Sequence, residues 1–210
     1  MRRLPLDGIR IADFTQVVQG PYGTLFLAQM GAEVIKIETE SRTQPEGRAT
    51  GPFTNLNGSK KSITLNLKDP KGVEVAKKLV AISDVAIENF GTGIMERFGL
   101  GYEDLRKVKP DIVMLSSQAF GRTGPLKNTI GYWAQAHAIT GLSHISGYKD
   151  GRPGLIGAIW ADHLTGMHIV FAVLASLRHR RRPGYGQYVQ MSMAETVIAA
   201  IPEAVLDYSV

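Results

Sequence analysis

The chain contains no cysteine, which excludes a thiol nucleophile, thiol redox chemistry, a disulfide scaffold and every zinc site built on thiolates. Any chemistry falls to oxygen and nitrogen groups. Among these, Asp162 has the most distinctive surroundings. A glycine-bearing apolar segment, Gly154-Leu155-Ile156-Gly157-Ala158-Ile159-Trp160-Ala161, leads into it, and a long apolar stretch with helical character runs on to about His179. The simplest role for an aspartate at that junction is an N-cap, its oxygen accepting from unpaired first-turn amides. The same amides and the helix dipole favour the ionised form, and an apolar collar would keep water away. Those are also the needs of a carboxylate nucleophile. Residue type and place leave both roles open.

Other chemical signatures are absent. After the first apolar run the chain reads Gln19-Gly20-Pro21-Tyr22-Gly23 and not G-x-G-x-x-G, so a nicotinamide or flavin site has no fingerprint. Neither a Walker loop nor G-x-S-x-G occurs. His163 and His168 stand five apart on a predicted helix, where they diverge, and no metal site is expected. Four of the five residues from Arg178 to Arg182 are arginine, in a chain with a net charge of +5. They precede Pro183 and Gly184, where a helix would end, and cations suit a last turn. No aromatic residues interleave with them, so no nucleic-acid partner is expected.

The elements that must position Asp162 read as alternating strands and helices. Ile9 to Asp13 is a short apolar run, and Pro21 to Gly31 has proline in its first turn and glycine past its end. Val34 to Ile37 and Ile63 to Leu67 read as strands, and Pro70 to Ile82 as a helix with an apolar face. Val85 to Ile87, helices around Ile94 to Phe98 and Tyr102 to Val108, and the strand Ile112 to Ser116 continue the alternation. A helix from Tyr132 to Gly141, the long helix from Asp162, a strand at Tyr188 to Ser192 and one final helix complete it. Thr39 to Lys60 and Gly121 to Gly131 read as loops. The pattern predicts an α/β fold, a Rossmann-like parallel sheet flanked by helices.

Length and composition agree. With 210 residues, 44% hydrophobic and 20% charged, one globular core is expected and wholesale disorder is excluded. Pro5 and Asp7 interrupt Leu4 to Gly8, and the longest apolar run, Ile169 to Leu177, falls short of the ~20 residues that span a bilayer. The expectation is a cytoplasmic protein with no membrane partner.

Six strings occur in order: LDGIRIADFTQVVQGP (Leu6 to Pro21), MGAEVIKIE (Met30 to Glu38), KKSITLNLKDPKG (Lys60 to Gly72), SDVAIENFGTGIMERFGL (Ser83 to Leu100), QAFGRTGP (Gln118 to Pro125) and RRRPGYGQYVQMSM (Arg180 to Met193). Together they resemble class III coenzyme A transferases, the group of formyl-CoA and carnitine-related CoA transferases, across essentially the whole chain. In that family an aspartate leading into the long helix is the nucleophile, and Gly157 to Gly166 matches its segment. The resemblance thus implies that Asp162 attacks an acyl-CoA thioester, giving an acyl-aspartyl anhydride and CoA thiolate that are resolved by a carboxylic acid acceptor. Backbone amides near Gln19 and Gly20 become candidate oxyanion donors, with the Gln19 side chain as a further one.

The implied CoA contacts are Val18, Gln19, Leu65, Asn66, Leu67, Lys68, Asn89, Phe90, Gly91, Arg97 and Tyr132. Each also has a plain structural reading: Leu65 and Leu67 as sheet core, Lys68 and Arg97 as solvated charges, Asn89 as a turn stabiliser. CoA enters as substrate, without a metal. Formyl-CoA transferase carries glutamine where Val18 stands and arginine where Thr39 stands, so oxalate specificity is not implied. Racemases of the superfamily place a histidine base where Tyr132 stands, which makes an α-methylacyl-CoA racemase the lesser alternative and leaves His137 as a packed helix residue. Family members also continue into a smaller domain and return to the large one, and form interlocked dimers. Residues 1–210 are then the N-terminal part of that large domain, acting with a second copy or a partner chain, or serving as a non-catalytic CoA-binding or scaffolding piece.

Overall fold

A computed structural model describes residues 3–39, 51–157, 159–182 and 184–210. Its elements run β1 (Arg10–Asp13), α1 (Gln19–Gln29), β2 (Glu33–Glu38), α2 (Gly51–Asn57), β3 (Lys61–Thr64), α3 (Pro70–Ala81), β4 (Val85–Glu88), α4 (Ile94–Arg97), α5 (Tyr102–Val108), β5 (Val113–Gln118), α6 (Trp133–Ile139), α7 (Leu142–Ile145), α8 (Trp160–Arg180), β6 (Tyr188–Ser192), α9 (Met193–Ala199) and α10 (Pro202–Ser209). The six strands form one sheet in the order β3-β2-β1-β4-β5-β6, every neighbouring pair parallel. This is a doubly wound order. The chain leaves β1 toward one edge and returns beside it at β4, so the loops after β1 and β4 part company and leave a crevice at the C-terminal edge.

Period-two alternation splits the strand residues between two cores. Ile11, Val34, Val85, Ile87, Val113 and Leu115 face Leu27 of α1 and Ile169, Val173 and Leu177 of α8. Ala12, Ala86, Ile112 and Met114 join Ala76 and Val80 of α3 and Leu105 of α5 on the other face. Burial of each large aliphatic chain contributes about 1.5–3 kcal/mol, which is why Val85 to Ile87 and Ile112 to Leu115 read as unbroken apolar runs. Asp69 caps α3 by accepting from the Lys71 amide at 2.9 Å, with Pro70 behind it.

Several expected boundaries move. Part of the loop predicted over Thr39 to Lys60 is helix α2, while residues 40–50 lie outside the described residues. The strand predicted at Ile63 to Leu67 is β3, two residues earlier, although the Leu65 amide still donates to Glu38 at 2.8 Å. The short helix α7 follows Gly141 where a loop was expected. The final helix is two: Pro202 cannot donate into α9 and opens α10 instead. Helix α8 begins at Trp160, and its 21 residues are long and apolar enough to cross a membrane by length and composition alone. Half of that window is buried inside the protein. At its end Arg180 donates to Asp84 at 2.7 Å and to Asp111 at 3.4 Å, so part of the basic cluster serves internal ion pairs.

Candidate active site

Asp162 occupies the first turn of α8, but it is not the cap. That position belongs to Ile159, whose carbonyl accepts from the amides of Asp162 and His163 at 3.0 and 3.3 Å. The Asp162 carboxylate instead faces the backbone N–H of Gln19, the first residue of α1, which favours its anionic form. Two helix starts therefore converge on one buried carboxylate, which is 8% exposed. Burial raises its pKa to about 6 and outweighs the Gln19 amide, which pulls the other way. The carboxylate was expected to be held ionised by amides and dipole. Desolvation wins, yet the anion still predominates at neutral pH.

Close contact between α1 and α8 makes this possible. A Cβ on Gly166 would lie 2.7 Å from Tyr22 Cδ1 and 3.0 Å from the Gln19 carbonyl oxygen, and one on Gly23 would lie 2.8 Å from the Gly166 carbonyl oxygen. Only glycine fits both places. Gly20 is equally constrained, since a Cβ there would come within 2.3 Å of Thr15 Cβ.

The turn before α1 is fixed from several directions. Asn89, expected as a CoA contact or as a stabiliser of its own turn, reaches across the crevice. Its Oδ1 accepts from the Gln16 amide at 2.7 Å and its Nδ2 donates to the Gln16 carbonyl at 2.8 Å. Gln19 donates its side-chain Nε2 to Ser117 Oγ, so that amide is committed to β5. Beneath the turn lies a buried ionic group: Asp13 accepts from Thr15 and Thr24, Lys36 donates to the Thr15 carbonyl at 2.7 Å, and Lys60 Nζ lies 3.5 Å from Asp13 Oδ2. Burial acts to raise the Asp13 pKa, but the two ammonium groups and the hydroxyls bring it below the usual carboxylate range. Lys60 is lowered to about 8 by its own burial.

Among the described residues, three non-glycine residues have positive φ: Val17 at 64°, Ser59 at 65° and Ile159 at 47°. Two are β-branched, and each such residue costs about 1–3 kcal/mol of backbone strain. All three border this site, standing just before Gln19, Lys60 and Asp162.

The other expected contacts spread along the same sheet edge. Val18 caps α1 without a side-chain hydrogen bond. Leu65 is buried and Leu67 half-buried against the α3 core, whereas Asn66 and Lys68 are exposed, the Asn66 Oδ1 accepting from the Lys68 amide at 3.1 Å. Phe90 and Gly91 follow β4. The Phe90 amide donates to Glu88 at 2.6 Å and its carbonyl accepts from Gln118 at 3.0 Å. Exposed Arg97 closes α4, and Tyr132, 57% exposed, precedes α6. Neither is joined to Asp162 by a described hydrogen bond. His163 stacks edgewise on Tyr22 and His168 bonds the Leu164 carbonyl, while His137 is buried beside Trp133 and Trp160.

Sequence reasoning missed the Asp13, Lys36 and Lys60 group, and also Glu88, buried with Arg122 at 3.2 Å and raised to about 7 by that burial. A signal existed for three of these. Asp13, Lys36 and Glu88 are charged residues inside apolar runs of a parallel sheet, where charge is tolerated only when paired. Lys60 gives no such signal.

The model of CoA-transferase family III matches residues 6–210. Succinyl-CoA:glutarate CoA-transferase of Mus musculus is 39% identical over 97% of this chain and 49% of its own length. Formyl-CoA:oxalate CoA-transferase of Afipia carboxidovorans is 38% identical over 92% of this chain and 47% of its own. The crystal structure of a CAIB/BAIF family protein from Brucella suis superposes with a TM-score of 0.94 at 31% identity, covering 99% of this chain and 58% of that one. The chain spans about half the length of the curated relatives it matches. On this match and this fold, the chain belongs to CoA-transferase family III.

Proposed function

We propose that the chain carries the nucleophile of an acyl-CoA transferase that moves CoA between an acyl-CoA donor and a carboxylic acid acceptor. The observation that carries this reading is the Asp162 carboxylate, buried at the first turn of α8, facing the first amide of α1 and lying beside the crevice of the sheet. A carboxylate oxygen attacks the thioester carbon, the carbon–sulfur bond breaks, CoA leaves as thiolate and the acyl group remains on Asp162 as a mixed anhydride. The thiolate attacks the aspartyl carbonyl of that anhydride and expels the donor's carboxylate, leaving an Asp162–CoA thioester. The acceptor carboxylate displaces the thiolate from it to form a second anhydride, and attack of the thiolate on the acceptor's acyl carbon releases the new acyl-CoA and the free Asp162 carboxylate. Covalent catalysis divides one difficult exchange into easier steps. Pro21 has no N–H and the Gln19 amide is turned to Asp162, so the first-turn donor left for an oxyanion is the amide of Gly20.

The CoA-facing residues in this reading are Val18, Gln19, Leu65 to Lys68, Asn89 to Gly91, Arg97 and Tyr132, with Asn89 acting through Gln16. Support comes from the strand ends and short helices that carry them, and from relatives named for acyl-CoA substrates. In this reading residues 1–210 supply the N-terminal part of a large domain, which works with a second copy or a partner chain in a cytoplasmic assembly.

The test uses the intact protein, with any co-expressed partner, incubated with an acyl-CoA and hydroxylamine. Mass spectrometry is expected to find a hydroxamate at Asp162, and Asp162→Asn to lower turnover by about a thousandfold or more. No adduct under any of these conditions would sink the catalytic reading and favour a scaffold.

A further inference from the structure

We propose that Lys60 is a positioning residue for the transfer at Asp162: its ammonium fastens the first turn of α1 to β1 and α2 and so keeps the Gln19 amide on the Asp162 carboxylate. This rests on the reading of Asp162 given above and extends it to a residue that does not touch substrate.

The ammonium has three protons and meets three elements. Nζ donates to the Pro21 carbonyl in α1 at 2.9 Å and to Asn57 Oδ1 in α2 at 3.0 Å, and faces Asp13 Oδ2 at the end of β1 at 3.5 Å. The side chain is 1% exposed. Charge balance alone does not explain it. Lys36, 4% exposed, already lies beside Asp13, and one carboxylate needs one counter-ion. A second buried ammonium carries a desolvation cost of several kcal/mol, which its hydrogen bonds must offset. The acceptor distinguishing Lys60 from Lys36 is the Pro21 carbonyl, two residues beyond Gln19 in the same turn. Thr24 Oγ1 donates to Asp13 at 2.7 Å, so α1 is tied to the same carboxylate one turn further on. Strain points the same way. Val17, Ser59 and Ile159, the positive-φ non-glycine residues among those described, stand two, one and three residues before Gln19, Lys60 and Asp162, and such conformations persist only where surroundings over-determine them.

The test is residue-resolved amide hydrogen exchange on the intact protein without substrate, comparing wild type with Lys60→Met. Exchange at Gln19 is expected to accelerate about tenfold or more while Leu27, further along α1, keeps its protection. The pH midpoint for hydroxylamine trapping at Asp162 should rise, because losing the amide disfavours the anion. An unchanged Gln19 amide in a folded Lys60→Met protein overturns the proposal. If that variant does not fold, Asn57→Ala removes one anchor and leaves the charge. A few-fold acceleration confined to the first turn of α1 then supports the proposal, and none overturns it. Exchange is read without turnover, so a missing covalent adduct would fault the reading of Asp162 and leave this result standing.

Discussion

At the scale of a single residue, Asp162 illustrates how burial and hydrogen bonding compete. Its pKa of about 6 leaves most molecules ionised at neutral pH but protonates them within the range of ordinary buffers. In the proposed transfer the attacking species is the carboxylate, so single-turnover acyl transfer should fall as pH drops through about 6, following one ionisation. Stopped-flow measurement of thiolate release across pH 5–8 checks this. A midpoint near 4, the value of an exposed carboxylate, would mean that the apolar collar does not act on Asp162. The sequence made this residue legible as a carboxylate at a helix start within apolar surroundings. What it could not convey is the partner, because Gln19 is brought in by tertiary packing from far along the chain. Asn89 is similar: its type suggested a turn residue, yet its acceptor and donor lie on Gln16.

Elements were more legible than contacts. The β/α alternation follows from hydrophobic period and punctuating proline and glycine, and those local signals placed the strand ends within two residues, except that β3 stops three residues before its expected end. The signal failed where it was weakest. Helix α2 has glycine and proline at its start and little apolar patterning, and the break between α9 and α10 rests on Pro202 alone. No local pattern reports that α1 and α8 touch through glycines, since each glycine reads by itself as a mild helix weakener. A methyl group tests the contact. Gly166→Ala is expected to destabilise the protein by about 1–3 kcal/mol through overpacking against Tyr22 and the Gln19 carbonyl. It should also move the Asp162 ionisation upward. Thermal unfolding combined with the pH profile measures both, and a neutral Gly166→Ala would show that the helices separate without cost.

For the whole molecule, a carboxylate held in a desolvating site lowers global stability. The sign follows from proton binding. Between the unfolded value near 3.8 and the folded value of about 6, the native state binds more protons than the unfolded chain. Stability contributed by this group therefore declines as pH rises through that window and stays lower above it. Asparagine does not titrate and can still accept from Gln19. Asp162→Asn is thus expected to be more stable than wild type by roughly 1–3 kcal/mol at pH 7. Below about pH 4 the difference should vanish. Denaturant titrations at the two pH values check it, and an equal or less stable variant at pH 7 contradicts the desolvated site.

Two backbones pressed together through Gly23 and Gly166 have no side-chain cushion to absorb displacement. Acid and amide donor must consequently travel as one rigid unit whenever either helix is pushed. Under the proposed function, adaptation to differently shaped acyl groups would be left to the surrounding loops, while the carboxylate and amide keep the same spacing for every substrate.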